Sequence, residues 1–187
     1  MALRHDEYLN AGAIVAAIDV DSPGQHAAMV DKLNLPFPIL SDPDRSLSIE
    51  PYRLLNTEDP RGLAIPATVV IDPNGDEVLR LVSRDFADRP FEDVALDALK
   101  DLGLAPVEQP APTMGDLAPG PTAMPFKDLR VYFRGAKFGS KAMGLRTGAV
   151  EEADRFAVLM DHYIEDTATM YRIIRDSKRV DQTRRRS

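Results

Sequence analysis

The chain has 187 residues and no cysteine, which excludes a disulfide framework, a thiolate metal site and a thiol nucleophile within it. Its 44% apolar and 28% charged residues are ordinary for a globular protein, and no run approaches the ~18 apolar residues of a membrane span. The net charge of −7 is uneven: residues 1–108 hold 9 Lys plus Arg against 20 Asp plus Glu, and residues 109–187 hold 14 against 10. An acidic first part speaks against nucleic acid as its ligand. The N-terminus lacks the charged-then-apolar pattern of a signal peptide, so the expected location is the cytoplasm and no membrane partner is expected.

In chain order, Leu3–Leu9 has helical spacing and stops at Ala11-Gly12. Ile14–Val20 is an apolar run of strand length. Ser22-Pro23-Gly24-Gln25 reads as the cap and first turn of a helix through Leu33, with Ala27, Val30 and Leu33 or Leu35 inward. Phe37–Leu40 is a brief extended segment. A helix over 44–55 would be interrupted by Pro51. Pro66 then opens a β-branched run through Ile71, Asp72-Pro73-Asn74-Gly75 closes it, and Glu77–Val82 returns. Asn-Gly supplies the positive φ of a tight hairpin, and continuous Val69-Val70-Ile71 suggests an inner strand covered on both faces. Phe91–Leu102 is an amphipathic helix ended by Gly103.

From Ala105 to Pro125 the composition changes: Pro106, Pro110, Pro112, Pro119, Pro121 and Pro125 make a semi-extended linker. A helix from 125 to about 143 follows, with a short strand at Leu129–Phe133 as the alternative, and Gly144–Gly148 as its break. Ala149–Arg179 is the clearest helix, with Val150, Ala153, Ala157, Met160, Ile164, Tyr171 and Ile174 as its stripe. Its acidic start (Glu151, Glu152, Asp154) and basic end (Arg172, Arg175, Lys178, Arg179) suit the helix dipole. Its length calls for a partner surface within this chain or in a second copy.

Three ordered blocks resemble one family. Ile65-Pro66-Ala67-Thr68-Val69-Val70-Ile71-Asp72-Pro73-Asn74-Gly75 is similar to the cis-proline strand of the thioredoxin fold, in the form of peroxiredoxin-like proteins (alkyl hydroperoxide reductase/thiol-specific antioxidant, or redoxin). Gly12–Pro23 resembles the family's strand ending in D-S-P, and Leu33–Asp44 is similar to its L-G-L-P-F-P-L-L-S-D-P-D segment. The resemblance covers residues 1 to about 104. It implies a cis peptide before Pro66, with Ile65, Pro66, Ala67 and Thr68 as the remnant of a redox pocket. It also implies a thiol after an upstream strand, and Met1–Gly12 resembles only the tail of that active-site helix.

Other side chains have plainer readings. Asp19, Asp21, Asp42, Asp44, Asp72 and Asp76 could hold a divalent cation, yet each sits at a strand end or turn, where aspartate is favoured locally. His5, His26 and His162 show no metal spacing. Arg80, Arg84 and Arg89 could steady a thiolate, although a solvated strand and loop explains them. Lys127, Arg130, Arg134, Lys137, Lys141 and Arg146, interleaved with aromatics, could meet nucleic acid or anionic lipid; a basic helix facing the acidic first part is the simpler account. Arg184-Arg185-Arg186 reads as a frayed tail.

The expectation is therefore an α/β, thioredoxin-like fold with a mixed central sheet flanked by helices, N-terminally incomplete, with a helical C-terminal extension. Its parts are a partial redoxin domain over 1–104, a proline-rich linker over 105–125 and helices over 126–187. The missing strand would leave a gap between the strands at Ile14 and Thr68, filled by an upstream segment, by Leu129–Phe133 or by a second chain. By family the activity would be that of a thiol antioxidant oxidoreductase. Without cysteine the chain is expected to be inactive as a peroxidase, with no catalytic residue, metal or cofactor. The alternative is a non-catalytic binding or assembly module, meeting a homo-oligomer partner or its own chain through residues 149–179.

Overall fold

The computed structural model describes residues 1–88 and 92–184, with the side chains of 177–184 left aside. The predicted positions Arg89, Pro90, Phe91, Arg185 and Arg186, and the side chains of Lys178, Arg179 and Arg184, lie outside what is described. Two compact units emerge, 1–120 and 121–187.

Unit 1 begins with a 3-10 turn (Ala2–Arg4) that runs into α1 (His5–Asn10). Gly12 follows at φ +79°, and a Cβ there would lie 2.8 Å from the Ala105 carbonyl oxygen, so both its backbone shape and the close approach require glycine. Strand β1 (Ala17–Asp19) pairs in parallel with β2 (Ile39–Ser41), and α2 (Pro23–Leu33) makes the crossover. Ser22 and Gln25 form a full capping box at the start of α2, and Pro23 occupies the first turn, as the sequence indicates. Strand β3 (Ala67–Ile71) pairs antiparallel with β4 (Glu77–Val82). Helix α3 (Glu92–Asp101) buries Ala95, Leu96 and Leu99. These three join Tyr8, Ala11, Val15, Phe37 and Val70 in one core that gathers α1, α3, β3 and the run into β1. Apolar side chains from distant parts of the chain leave water together here, which drives the unit's folding.

Several expectations are corrected. The strands form two separate two-stranded ladders, β1–β2 and β3–β4, instead of one mixed central sheet. β3 is consequently not an inner strand: among the described residues its ladder partner is β4 alone, and only Val70 on it is fully buried. No cis peptide occurs among the described residues, so the bond before Pro66 is trans. An X-Pro bond favours trans by ~0.5–1 kcal/mol unless its surroundings select otherwise. Only Gly75 in the hairpin turn has a positive φ; the turn is five residues long and is held by Asp72, whose carboxylate accepts the N–H groups of Asn74 and Asp76. The helix expected over 44–55 is a series of turns, with Arg45 and Arg53 at positive φ and Pro51 between them.

The proline-rich span does not leave unit 1 as a free spacer. Val107 N–H donates to the Leu9 carbonyl, and Ala118 N–H to that of Gly24. Between them, the Gln109 side chain accepts from Val15 N–H (2.9 Å) and donates to the Val15 carbonyl (2.7 Å). One amide thus does for Val15 what a neighbouring strand would do, and satisfies backbone groups beside β1 that the separated ladders leave open.

Unit 2 is a helical hairpin of α4 (Phe126–Thr147) and α5 (Val150–Arg184). Leu129–Phe133 is helical, so it supplies no strand to unit 1's sheet. α4 runs through Gly144 and ends at Gly148, and α5 extends to Arg184, beyond the expected 179. The buried seam is narrow: Gly144 is the buried residue of α4, against Ala153, and Ala157 and Met160 are buried further along α5. The Gly144 Cα sits so close to Ala153 that a Cβ at 144 would collide with the alanine Cβ. Val150 and Tyr171, placed in the stripe by periodicity, are exposed. Phe133 stacks on Tyr163 with ring centroids 5.1 Å apart, Lys137 bonds Asp161, and Lys141 pairs with Asp154 at 3.2 Å.

Candidate functional site

Asp19 is the last residue of β1 and Ser41 the last of β2, so both stand at the carboxyl ends of parallel strands. In open α/β units this is where ligand crevices form. His26, in the second turn of α2, fits between them: Nε2 lies 2.5 Å from Asp19 Oδ1, and Nδ1 lies 2.9 Å from Ser41 Oγ. The imidazole is 3% exposed. The same Asp19 oxygen accepts the Asp21 N–H at 2.7 Å. A cleft of about 440 Å³ opens beside this trio. His26 and Ser41 line it, with Ala27, Val30, Ile39 and Leu40 as apolar wall, and Pro112, Thr113 and Met114 of the proline-rich strap, residues 105–120, complete the lining.

Tautomer logic fixes the protons when the ring is neutral. An ionised Asp19 can only accept, so Nε2 carries the hydrogen; Nδ1 is then an acceptor and receives the Ser41 hydroxyl. Asp19, Asp21 and His26 also offer three ligand atoms within 4.8 Å of one another, a grouping that sequence spacing did not reveal. In the neutral tautomer above, the hydrogen on Nε2 stands where a cation would bind the ring at that nitrogen, so metal binding there would have to displace it.

The residues singled out from sequence fall elsewhere. Ile65, Pro66, Ala67 and Thr68 are half-buried along the start of β3: Ile65 N–H donates to Leu54, Pro66 accepts from Ser83, and Ala67 and Thr68 pair with Val82 and Leu81. None of them lines the cleft. Asp42 is buried and anchors the following turns, accepting the N–H groups of Leu47, Ser48 and Ile49. Burial pushes its carboxyl up, but those donors and Arg45 outweigh it and hold the group below the usual range. Asp44 accepts from Ser46. His5 bonds Gln109, and His162 is exposed on α5. Arg80 chelates Glu77, donates to the Tyr52 carbonyl and lies over the Tyr52 ring; Arg84 pairs with Asp88 at 2.8 Å. Sequence reasoning took His26 and Asp19 one by one and passed over Ser41 and Gln109. The available signal was Asp19 and His26 on either side of a strong helix cap, which places the histidine back over the strand end.

Residues 1–78 match the sequence model of the AhpC/TSA family, which supports a redoxin, peroxiredoxin-like assignment for that part of the chain. No curated protein and no solved structure matches the chain. The fold is a mixture of helices and small sheets, and no helix among the described residues is long and apolar enough to cross a membrane.

Proposed function

We propose that this chain is a redoxin-type binding and assembly protein without thiol chemistry of its own. Unit 1 offers the cleft at the ends of β1 and β2 to a small, largely apolar ligand, and unit 2 serves as a contact arm for a second copy or for its own chain. The observation that carries the reading is the absence of cysteine from a chain whose first 78 residues match a thiol-peroxidase family. Peroxide reduction of that kind needs a thiolate that becomes a sulfenic acid, and no other side chain replaces it. In a peroxide-consumption assay with a thiol reductant, the purified chain is expected to match the protein-free rate. Thiol-dependent turnover above that rate overturns the reading.

The family match also favours a second reading, a thiol antioxidant oxidoreductase whose sulfur comes from outside these 187 residues and works against Ile65–Thr68. Adding back a cysteine-bearing polypeptide that restores peroxide turnover would select it over the first.

A further inference from the structure

The trio at the strand ends has the connectivity of an activated nucleophile: a hydroxyl bonded to an imidazole, and the imidazole held from behind by a carboxylate. We propose that Ser41 is a nucleophile for acyl transfer from a carboxylic ester, with His26 as general base and Asp19 as the residue that orients and charge-balances the imidazole. The proposal rests on the reading of the cleft as unit 1's binding site.

The geometry meets the tests for such a group. Ser41 Oγ and His26 Nδ1 are 2.9 Å apart, and His26 Nε2 and Asp19 Oδ1 are 2.5 Å apart, both within hydrogen-bond reach. The neutral tautomer derived above points the free lone pair of the ring at the serine proton, as base catalysis requires. The ring nitrogens exchange the positions seen in the common serine-histidine-aspartate arrangement, but whichever nitrogen lacks the hydrogen carries the in-plane lone pair, here Nδ1, and can act as the base. Ser41 and His26 both face the cleft, whose walls of Ala27, Val30, Ile39, Leu40 and Met114 suit a short acyl chain. A histidine needed simply to pin α2 to the strand ends would not have to place its serine partner on the wall of a cleft.

In the reaction, Ser41 Oγ bonds to the ester carbonyl carbon while its proton passes to His26 Nδ1, and Asp19 stabilises the resulting imidazolium. The tetrahedral adduct collapses with cleavage of the bond to the alkoxy oxygen, and the leaving alcohol takes the proton from Nδ1. Water then attacks the acyl-serine, giving its proton to His26; release of the carboxylic acid restores the serine hydroxyl with that proton. No oxidant, reductant or metal enters the balance.

The test uses the full chain with an alkyl fluorophosphonate and, separately, p-nitrophenyl butyrate. Peptide mapping by mass spectrometry is expected to place one phosphonyl group on Ser41. Ester hydrolysis is expected to fall roughly a hundredfold or more in Ser41→Ala and in His26→Gln. Because His26 is buried, the wild-type adduct position is the deciding measurement and does not depend on a variant folding. No adduct on Ser41 at saturating probe overturns the proposal, as does unchanged hydrolysis in a folded Ser41→Ala. A non-hydrolysable butyl ketone, followed by NMR shifts at Val30, Ile39 and Leu40, separates the two layers. Binding without labelling leaves the cleft standing and removes the nucleophile; absence of both removes the cleft as well.

Discussion

Units 1 and 2 reach stability by different routes. Unit 1 draws its core from Tyr8, Val15, Phe37, Val70 and Leu96, separated by up to most of the unit's length, and closes the gaps with single polar groups such as Gln109, Asp42 and His26. Unit 2 relies on one helix–helix seam whose buried members are Gly144, Ala153, Ala157 and Met160, reinforced by side chains that remain partly in water. Non-local packing can build a cleft with converging polar groups, because it brings strand ends, a helix start and a strap to one place. A hairpin of adjacent helices repeats one contact along its axis and presents a surface instead. That contrast is the reason the proposed nucleophile is placed in unit 1 and the proposed contact role in unit 2.

The largest expected effect is in the shared core. Leu96 is fully buried, so Leu96→Ala is expected to cost unit 1 about 3 kcal/mol, read as a lower urea midpoint of its transition. A cost below ~1 kcal/mol would mean the core is far looser than its burial implies. Next is the seam of unit 2: Gly144→Val forces α4 away from Ala153 and is expected to cost about 2 kcal/mol, with lower helicity in the isolated transition of that unit. An unchanged melt would show that the two helices are not held at this point.

Smaller is the strap. Gln109→Ala leaves Val15 N–H and C=O without their partner and is expected to cost about 1 kcal/mol while exposing 105–118 to limited proteolysis. Equal protease resistance would refute its role as a clasp. The smallest effects come one carboxyl at a time, with pH. Asp59 is lowered from 3.8 to about 2 by its bonds to Arg61, and Asp42 and Asp72 are also held below the usual range. Carboxyls lowered in the folded state add stability that is fully present above about pH 4 and is lost as pH falls toward 2. The melting temperature of unit 1 is thus expected to decline through that window, and a flat profile would remove these groups from the account.

Local signals gave the elements of this protein where neighbours in sequence are neighbours in space. The capping box of Ser22 and Gln25, the hairpin around Asp72, the stop at Gly103 and the long α5 all follow from spacings of a few residues. Absence of cysteine was likewise complete in the sequence, since composition alone decides which nucleophiles exist. What tertiary structure decided was association: that the strands form two ladders, that the bond before Pro66 is trans, that residues 107–118 are tied to the rest of unit 1, and that Asp19, His26 and Ser41 converge. The physical reason is range. Hydrogen bonding within a turn is specified by residues a few apart, whereas pairing of strand edges and burial of a polar trio depend on which distant surfaces pack together.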